Sequence, residues 1–232
     1  MKNAFTLAEV LITLGIIGII ASMTLPVLIQ KNNNRIVETR LMKFYSVANQ
    51  AVKMAESAYG DKKYWWDDLQ GSEFDEEGNP ITGSSEAEKW FNKYLKPYMK
   101  IKKQETLSDG TFIVYFLDGS ALKLLQNTIS RDWAYYPGNP DKCIKQYGTI
   151  DSKSNGICSF AFNFVPATDT ANWKYHYNKG IEPYKYAWDG TYKKLYTAAD
   201  YGCKNGNRRY CTAVIQVNGW KIPDDYPYKV SY

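Results

Sequence analysis

The sequence predicts an α+β protein in which one long N-terminal helix, lipid-facing in its first half and amphipathic in its second, packs on a β-sheet head. Three observations predict it. Phe5 to Ile29 is a 25-residue apolar run with a single charge, Glu9. Val37, Leu41, Phe44, Ala48, Ala51, Ala55 and Tyr59 then recur at intervals of three and four, the spacing of one helix face. Beyond residue 60 the apolar stretches are short, rich in β-branched and aromatic residues, and bounded by turn residues, as strands are.

At 1.5 Å per residue the apolar run reaches about 37 Å as a helix, enough to cross a hydrocarbon core of roughly 30 Å. A carboxylate in that setting costs on the order of 2.5 to 3.5 kcal/mol on insertion scales, so Glu9 needs a partner. The positive groups upstream are Lys2 and the amino terminus. A cut before Phe5 would create a new α-amine one helical turn from the carboxylate. A secretory signal peptide has a shorter apolar core and an A-x-A-like site, and Ala21, Ser22, Met23 is a poor one. A plain signal anchor accounts for the length but leaves Glu9 unexplained. Gly15, Gly18 and Pro26 weaken the helix locally, since glycine lowers helix propensity and proline removes one backbone hydrogen bond.

Met1 to Ala4 followed by Phe5, Thr6, Leu7, Ala8 and Glu9 resembles the start of type IV pilins and type II secretion pseudopilins, whose leader ends in a small residue before FTLxE and a long apolar helix. The resemblance is specific over about the first 30 residues and loose afterwards; the family prefers Gly where this chain has Ala4. It implies a leader at residues 1–4 cleaved after Ala4 by a prepilin peptidase, and N-methylation of Phe5. Residues 5–29 would be the transmembrane and polymerisation helix, residues 30–59 its amphipathic continuation, and residues 60–232 an extracytoplasmic head with an antiparallel sheet. In the filament Glu9 would meet the Phe5 amine of a neighbouring subunit, and Gly15, Gly18 and Pro26 would let the helix extend. The implied partners are copies of the chain or related pilins, the peptidase, an inner-membrane assembly platform driven by a separate ATPase, and membrane lipid. The implied location is a single-pass inner-membrane protein with a periplasmic head, and an extracytoplasmic filament after assembly.

One rule points the other way. Lys31, Arg35, Arg40 and Lys43 follow the helix, and a count of flanking cations would keep that side in the cytoplasm. The leader and the cysteines favour the opposite orientation. Cys143, Cys158, Cys203 and Cys211 allow three pairings. Short loops close at least entropic cost, which favours Cys143 with Cys158 and Cys203 with Cys211, and disulfides belong to oxidising spaces. A zinc site is the competing reading, but CxxC spacing is lacking and the single histidine, His176, is far from both pairs.

Along the head, Gly60 and Asp61 end the long helix. Tyr64, Trp65 and Trp66 precede an acidic tract with turn residues Gly78, Asn79, Pro80 and Gly83. Asp75, Glu76 and Glu77 lack the alternating oxygen ligands of a calcium loop and read as solvated. Residues 85–103 open with a capping-box pattern, Ser85 with Glu88, and carry Trp90, Phe91, Tyr94 and Leu95 at helical spacing until Pro97. Gly110 to Leu117 and Ser120 to Leu125 read as a hairpin about Asp118 and Gly119. Residues 126–157 read as irregular, Ser159 to Val165 as a third strand, and Cys211 to Val217 as a further strand.

No cofactor, metal or catalytic residue set is predicted, and the chain reads as a non-enzyme: P-loop, G-x-S-x-G and H-E-x-x-H motifs are lacking. His176, flanked by tyrosines and with no evident partner, reads as a surface or structural residue. Residues 170–232 hold 10 Lys plus Arg against 5 Asp plus Glu, which equals the whole-chain surplus of +5. Within them, a Cys203 to Cys211 disulfide would hold Lys204, Arg208 and Arg209 on a small tip. Such a tip suits phosphate backbones, with Tyr210 or Trp220 stacking on bases, so a DNA- or surface-binding subunit is the alternative function. A solvated cap or a contact between subunits is the plainer reading of the same loop.

Overall fold

The computed structural model describes residues 6–65, 73, 75–78, 81, 83–107, 111–124, 132–148 and 151–232. Ala4, Phe5, Trp66, Asn79, Pro80, Gly110 and Leu125, all named above, lie outside them.

Helix α1, Leu7–Tyr59, runs unbroken through Pro26 for 53 residues. Its buried positions are Val37, Leu41, Phe44, Ala48, Ala51, Val52 and Ala55, six of the seven predicted with Val52 added. Tyr59 is exposed instead: it is the last residue of the helix and touches the head edge-on through Tyr94, ring centroids 5.3 Å apart. Helix α2, Glu86–Tyr94, turns Trp90, Phe91 and Tyr94 inward. Ser85 caps it by accepting from the Glu88 N–H. The Glu88 carboxylate, buried, reaches across to the neighbouring segment rather than back to the cap, accepting from Gln104 Nε2 at 3.0 Å and Thr106 Oγ1 at 3.2 Å.

Six strands follow: β1 Ile101–Thr106, β2 Phe112–Phe116, β3 Ala121–Leu124, β4 Asp132–Tyr136, β5 Phe160–Phe164 and β6 Ile181–Pro183. They form one antiparallel sheet in sequence order, a meander. The β2–β3 hairpin is as expected, its turn closed by the Gly119 N–H donating to Phe116 at 3.1 Å. Between β4 and β5 lie α3, Pro140–Tyr147, and α4, Asp151–Ser154, and the Cys143–Cys158 disulfide ties this excursion to the start of β5. After β6 come α5, Tyr192–Thr197, and α6, Cys211–Val217.

Helix α2 stops ahead of Pro97 as expected, and after the turn at Lys96–Tyr98 residues 101–103 open β1. Two expectations are corrected. The supposedly irregular stretch contains β4, buried at all five residues. Residues 211–217 are a helix: Val214 joins the apolar cluster behind the sheet while Ile215 joins the cluster under α1. A seven-residue run buried on several sides carries no period by which helix and strand can be told apart.

The main core lies between α1 and one face of the sheet. Phe44 stacks on Tyr135 with centroids 4.3 Å apart and meets Phe162 edge-on at 5.0 Å. Trp133, Phe160 and Phe164 extend the same cluster, and Ala48, Ala51 and Ala55 let the backbones approach. The opposite face is covered too. Ala134 and Tyr136 pack with the Cys143–Cys158 disulfide, and Ala161 packs with Tyr184, Leu195, Tyr210 and Val214.

The outer edge of β6 is closed by a side chain of α1. Asn49 accepts from the Ile181 N–H at 2.9 Å and donates to the Ile181 carbonyl at 2.8 Å, as a neighbouring strand would. Gly180 permits it, since a Cβ there would lie 2.0 Å from Asn49 Oδ1. Asn49→Ala removes both bonds and leaves two edge groups without protein partners. It should cost about 2 kcal/mol and lower the melting temperature by about 4 to 8 °C for a head of this size. Gly180→Ala should do the same by displacing the amide.

Candidate functional site

The candidate site is the N-terminal half of α1, where the sequence put its functional residues. Every residue from Thr6 to Ile29 is exposed except Ala21, which is half-buried. The apolar side chains cover the whole circumference: Leu7, Ile12, Ile17, Met23 and Val27 are all solvent-facing. At 1.5 Å per residue, residues 7–29 make a rod about 34 Å long, and this helix is long and apolar enough to cross a membrane.

Glu9 finds its partners inside its own first turn. Thr6 is the N-cap; its hydroxyl accepts from the Glu9 N–H at 3.3 Å, while Glu9 Oε2 accepts from the Thr6 N–H and Oγ1–H, each at 2.8 Å. This closed capping box satisfies two of the amides that a helix start leaves open and places a carboxylate at the positive end of the dipole. The sequence carried the signal, since Thr6 and Glu9 have the S/T-x-x-E spacing. Oε2 takes both bonds, and among the described residues no donor meets Oε1. Ala4 and Phe5, the proposed cleavage pair, lie outside the described residues.

The rod joins the head at residue 30. Gln30 Nε2 donates to the Val230 carbonyl at 3.1 Å and to Asn34 Oδ1 at 2.7 Å. Ten residues on, Arg40 donates to the carbonyls of Asp118 and Pro137, and Lys43 pairs with Asp118 at 2.9 Å. Burial alone would raise the Asp118 carboxyl, but hydrogen bonds from Ser120 and Lys43 outweigh it and hold the group down at about 2. Beside this anchor a cleft of about 270 Å³ has an apolar floor of Phe44, Val47, Phe116 and Tyr135.

The four cysteines pair as Cys143–Cys158 and Cys203–Cys211. The second loop is less open than a binding tip requires. Arg209 forms an ion pair with Asp132, which also accepts from Asn163, and lies 5.1 Å over the Tyr184 ring. Arg208 adopts a left-handed conformation with φ 63°. Its guanidinium stacks 4.3 Å over Tyr228 and donates to the Lys153 carbonyl at 3.2 Å. Lys204 alone of the three is exposed. Both arginines thus serve the head's own packing. Among the described residues no group of three or more His, Cys, Asp or Glu side chains is placed to hold a metal ion.

Behind β6 lies a buried polar network that the sequence did not suggest. Tyr45 of α1 donates to Glu182 Oε1 at 2.8 Å, Gln216 of α6 donates to Glu182 Oε2 at 3.2 Å, and Lys185 donates to Gln216. Burial lowers the Lys185 ammonium, partly offset by Glu182. His176, fully buried, accepts the Lys185 backbone N–H on Nε2 at 3.0 Å, so Nδ1 carries the proton. Burial, with the Lys185 and Lys179 charges adding to it, pushes this imidazole down to about 3.

The folded state therefore holds His176 neutral while the unfolded chain takes up a proton near pH 6.5. Stability contributed by the neutral ring is fully present above pH 6.5 and is lost as pH falls toward 3. His176→Gln keeps an acceptor for Lys185 and removes the titration. Its melting temperature should fall less between pH 6.5 and 4.5 than that of the parent chain, by thermal unfolding at fixed ionic strength.

No curated protein and no solved structure matches the chain. A family model, described as a family of unknown function, matches residues 27–230, which cover the head and the clamped half of α1 and begin just inside the exposed rod. On that match the chain belongs to the family of unknown function DUF6613.

Proposed function

We propose that the chain is a structural subunit of a type IV pilus or type II secretion filament, made as a prepilin-like precursor and polymerised through the N-terminal half of α1. One observation carries this reading. A single unbroken helix has its second half clamped to a head by apolar packing, while its first half, with the acid Glu9, packs on nothing among the described residues. An apolar rod of that length in water is unstable. A bilayer covers it first, and the rods of neighbouring subunits then replace lipid. The two disulfides fit an oxidising compartment, which supports a single-pass inner-membrane precursor with its head in the periplasm.

In this reading Glu9 has two functions: it closes the helix start through Oε2 and offers Oε1 to the Phe5 amine of the next subunit, setting axial register. The two separate cleanly by substitution, because Gln can close a capping box without carrying charge. Mass spectrometry of the mature protein should find a methylated Phe5 at its amino terminus; a protein that still begins at Met1 would sink the proposal. Glu9→Ala and Glu9→Gln should both be cleaved normally and both give a filament yield at least tenfold lower. Normal yield from Glu9→Gln would assign Glu9 to capping alone.

A further inference from the structure

The junction between rod and head carries an open pocket of about 470 Å³ lined by Leu28, Lys31, Asn34, Arg35, Glu38 and Lys221. Its charges are uneven. Glu38 is taken by the head: its carboxylate accepts from Lys221 Nζ at 2.9 Å and from the Ile222 N–H at 2.9 Å. Lys31 and Arg35, one helical turn apart on α1, are exposed and have no acid partner among the described residues. Asn34 is already bonded through Oδ1 to Gln30, which leaves its Nδ2–H₂ group as a donor. The pocket therefore offers two unpaired cations and an amide donor, with an apolar side chain, Leu28, at the end nearer the rod.

Position selects the ligand. If residues 7–29 span the hydrocarbon, Lys31 and Arg35 lie about 3 Å and 9 Å beyond Ile29 along the axis. The headgroup layer of one leaflet is roughly 5 to 7 Å deep, so the two cations bracket the lipid phosphates. We infer that this pocket binds the phosphate of an anionic phospholipid in the leaflet on the head side, with Leu28 against the acyl chains. The inference rests on the membrane reading above. It also gives a physical role to the cations that the flanking-charge rule counts against that orientation, since they face lipid phosphate at the surface.

The test uses the full chain in nanodiscs of phosphatidylcholine with phosphatidylglycerol, bound lipid being counted by native mass spectrometry. The parent chain should retain the anionic lipid with a preference of about thirtyfold, the ~2 kcal/mol that two cations contribute at an anionic surface. Lys31→Gln with Arg35→Gln should bring retention to parity, whereas Lys53→Gln with Lys193→Gln, equal in charge and distant from the pocket, should leave it unchanged. Lys31→Glu with Arg35→Glu should reverse the preference. Equal retention by the parent and the Lys31/Arg35 pair overturns the assignment, and so does displacement of the lipid by millimolar inorganic phosphate, which would mark a free-anion site. A chain that fails to insert, shown by extraction at alkaline pH, overturns the membrane reading itself; one that inserts without selecting lipid overturns this inference alone.

Discussion

The contact of α1 with the sheet is the constraint on which the rest of the structure depends. Phe44 stacked on Tyr135, the three alanines beneath it, and Asn49 paired with Ile181 fix the helix to the head at its middle and lower turns. Apolar packing gives most of the attachment, and the Asn49 amide gives it register, because only one axial setting places both amide atoms on the edge of β6. With the lower half held, the upper half leaves the head as an unsupported apolar rod. Orientation of the head relative to the rod is thereby decided by packing over 30 Å away from Glu9.

Charge is handled in the same economical way. The head keeps most of its buried charges in pairs or networks: Arg209 with Asp132, Lys185 with Glu182, Arg40 on two carbonyls. Burying an unpartnered charge costs several kcal/mol, so such groups are neutralised locally. The surplus of +5 is consequently a poor guide to a binding surface. Arg208 and Arg209 look available in the sequence but hold the aromatic layer behind the sheet together, while Lys31 and Arg35, which look like ordinary residues of a long helix, stay exposed beside a pocket.

What the sequence determined by itself is whatever depends on near neighbours. The apolar run, the three-and-four spacing of α1, the β2–β3 turn and the two short-range disulfides are all set by residues within about fifteen positions of each other, and each was legible; the Thr6 to Glu9 cap is equally local, but the expectation of a cation to pair with Glu9 passed over it. Tertiary structure alone decided β4, β6 and α6. β4 is covered on both faces, so Trp133 and Tyr135 alternate with Ala134 and Tyr136 and no polar side marks the strand. β6 is three residues long and exists because β5 and Asn49 flank it. α6 has the β-branched composition of a strand but packs at the sheet edge against two separate cores. The physical reason is common to all three: burial on more than one side erases the periodicity that reports local structure, and only contacts between distant segments remain to choose the conformation.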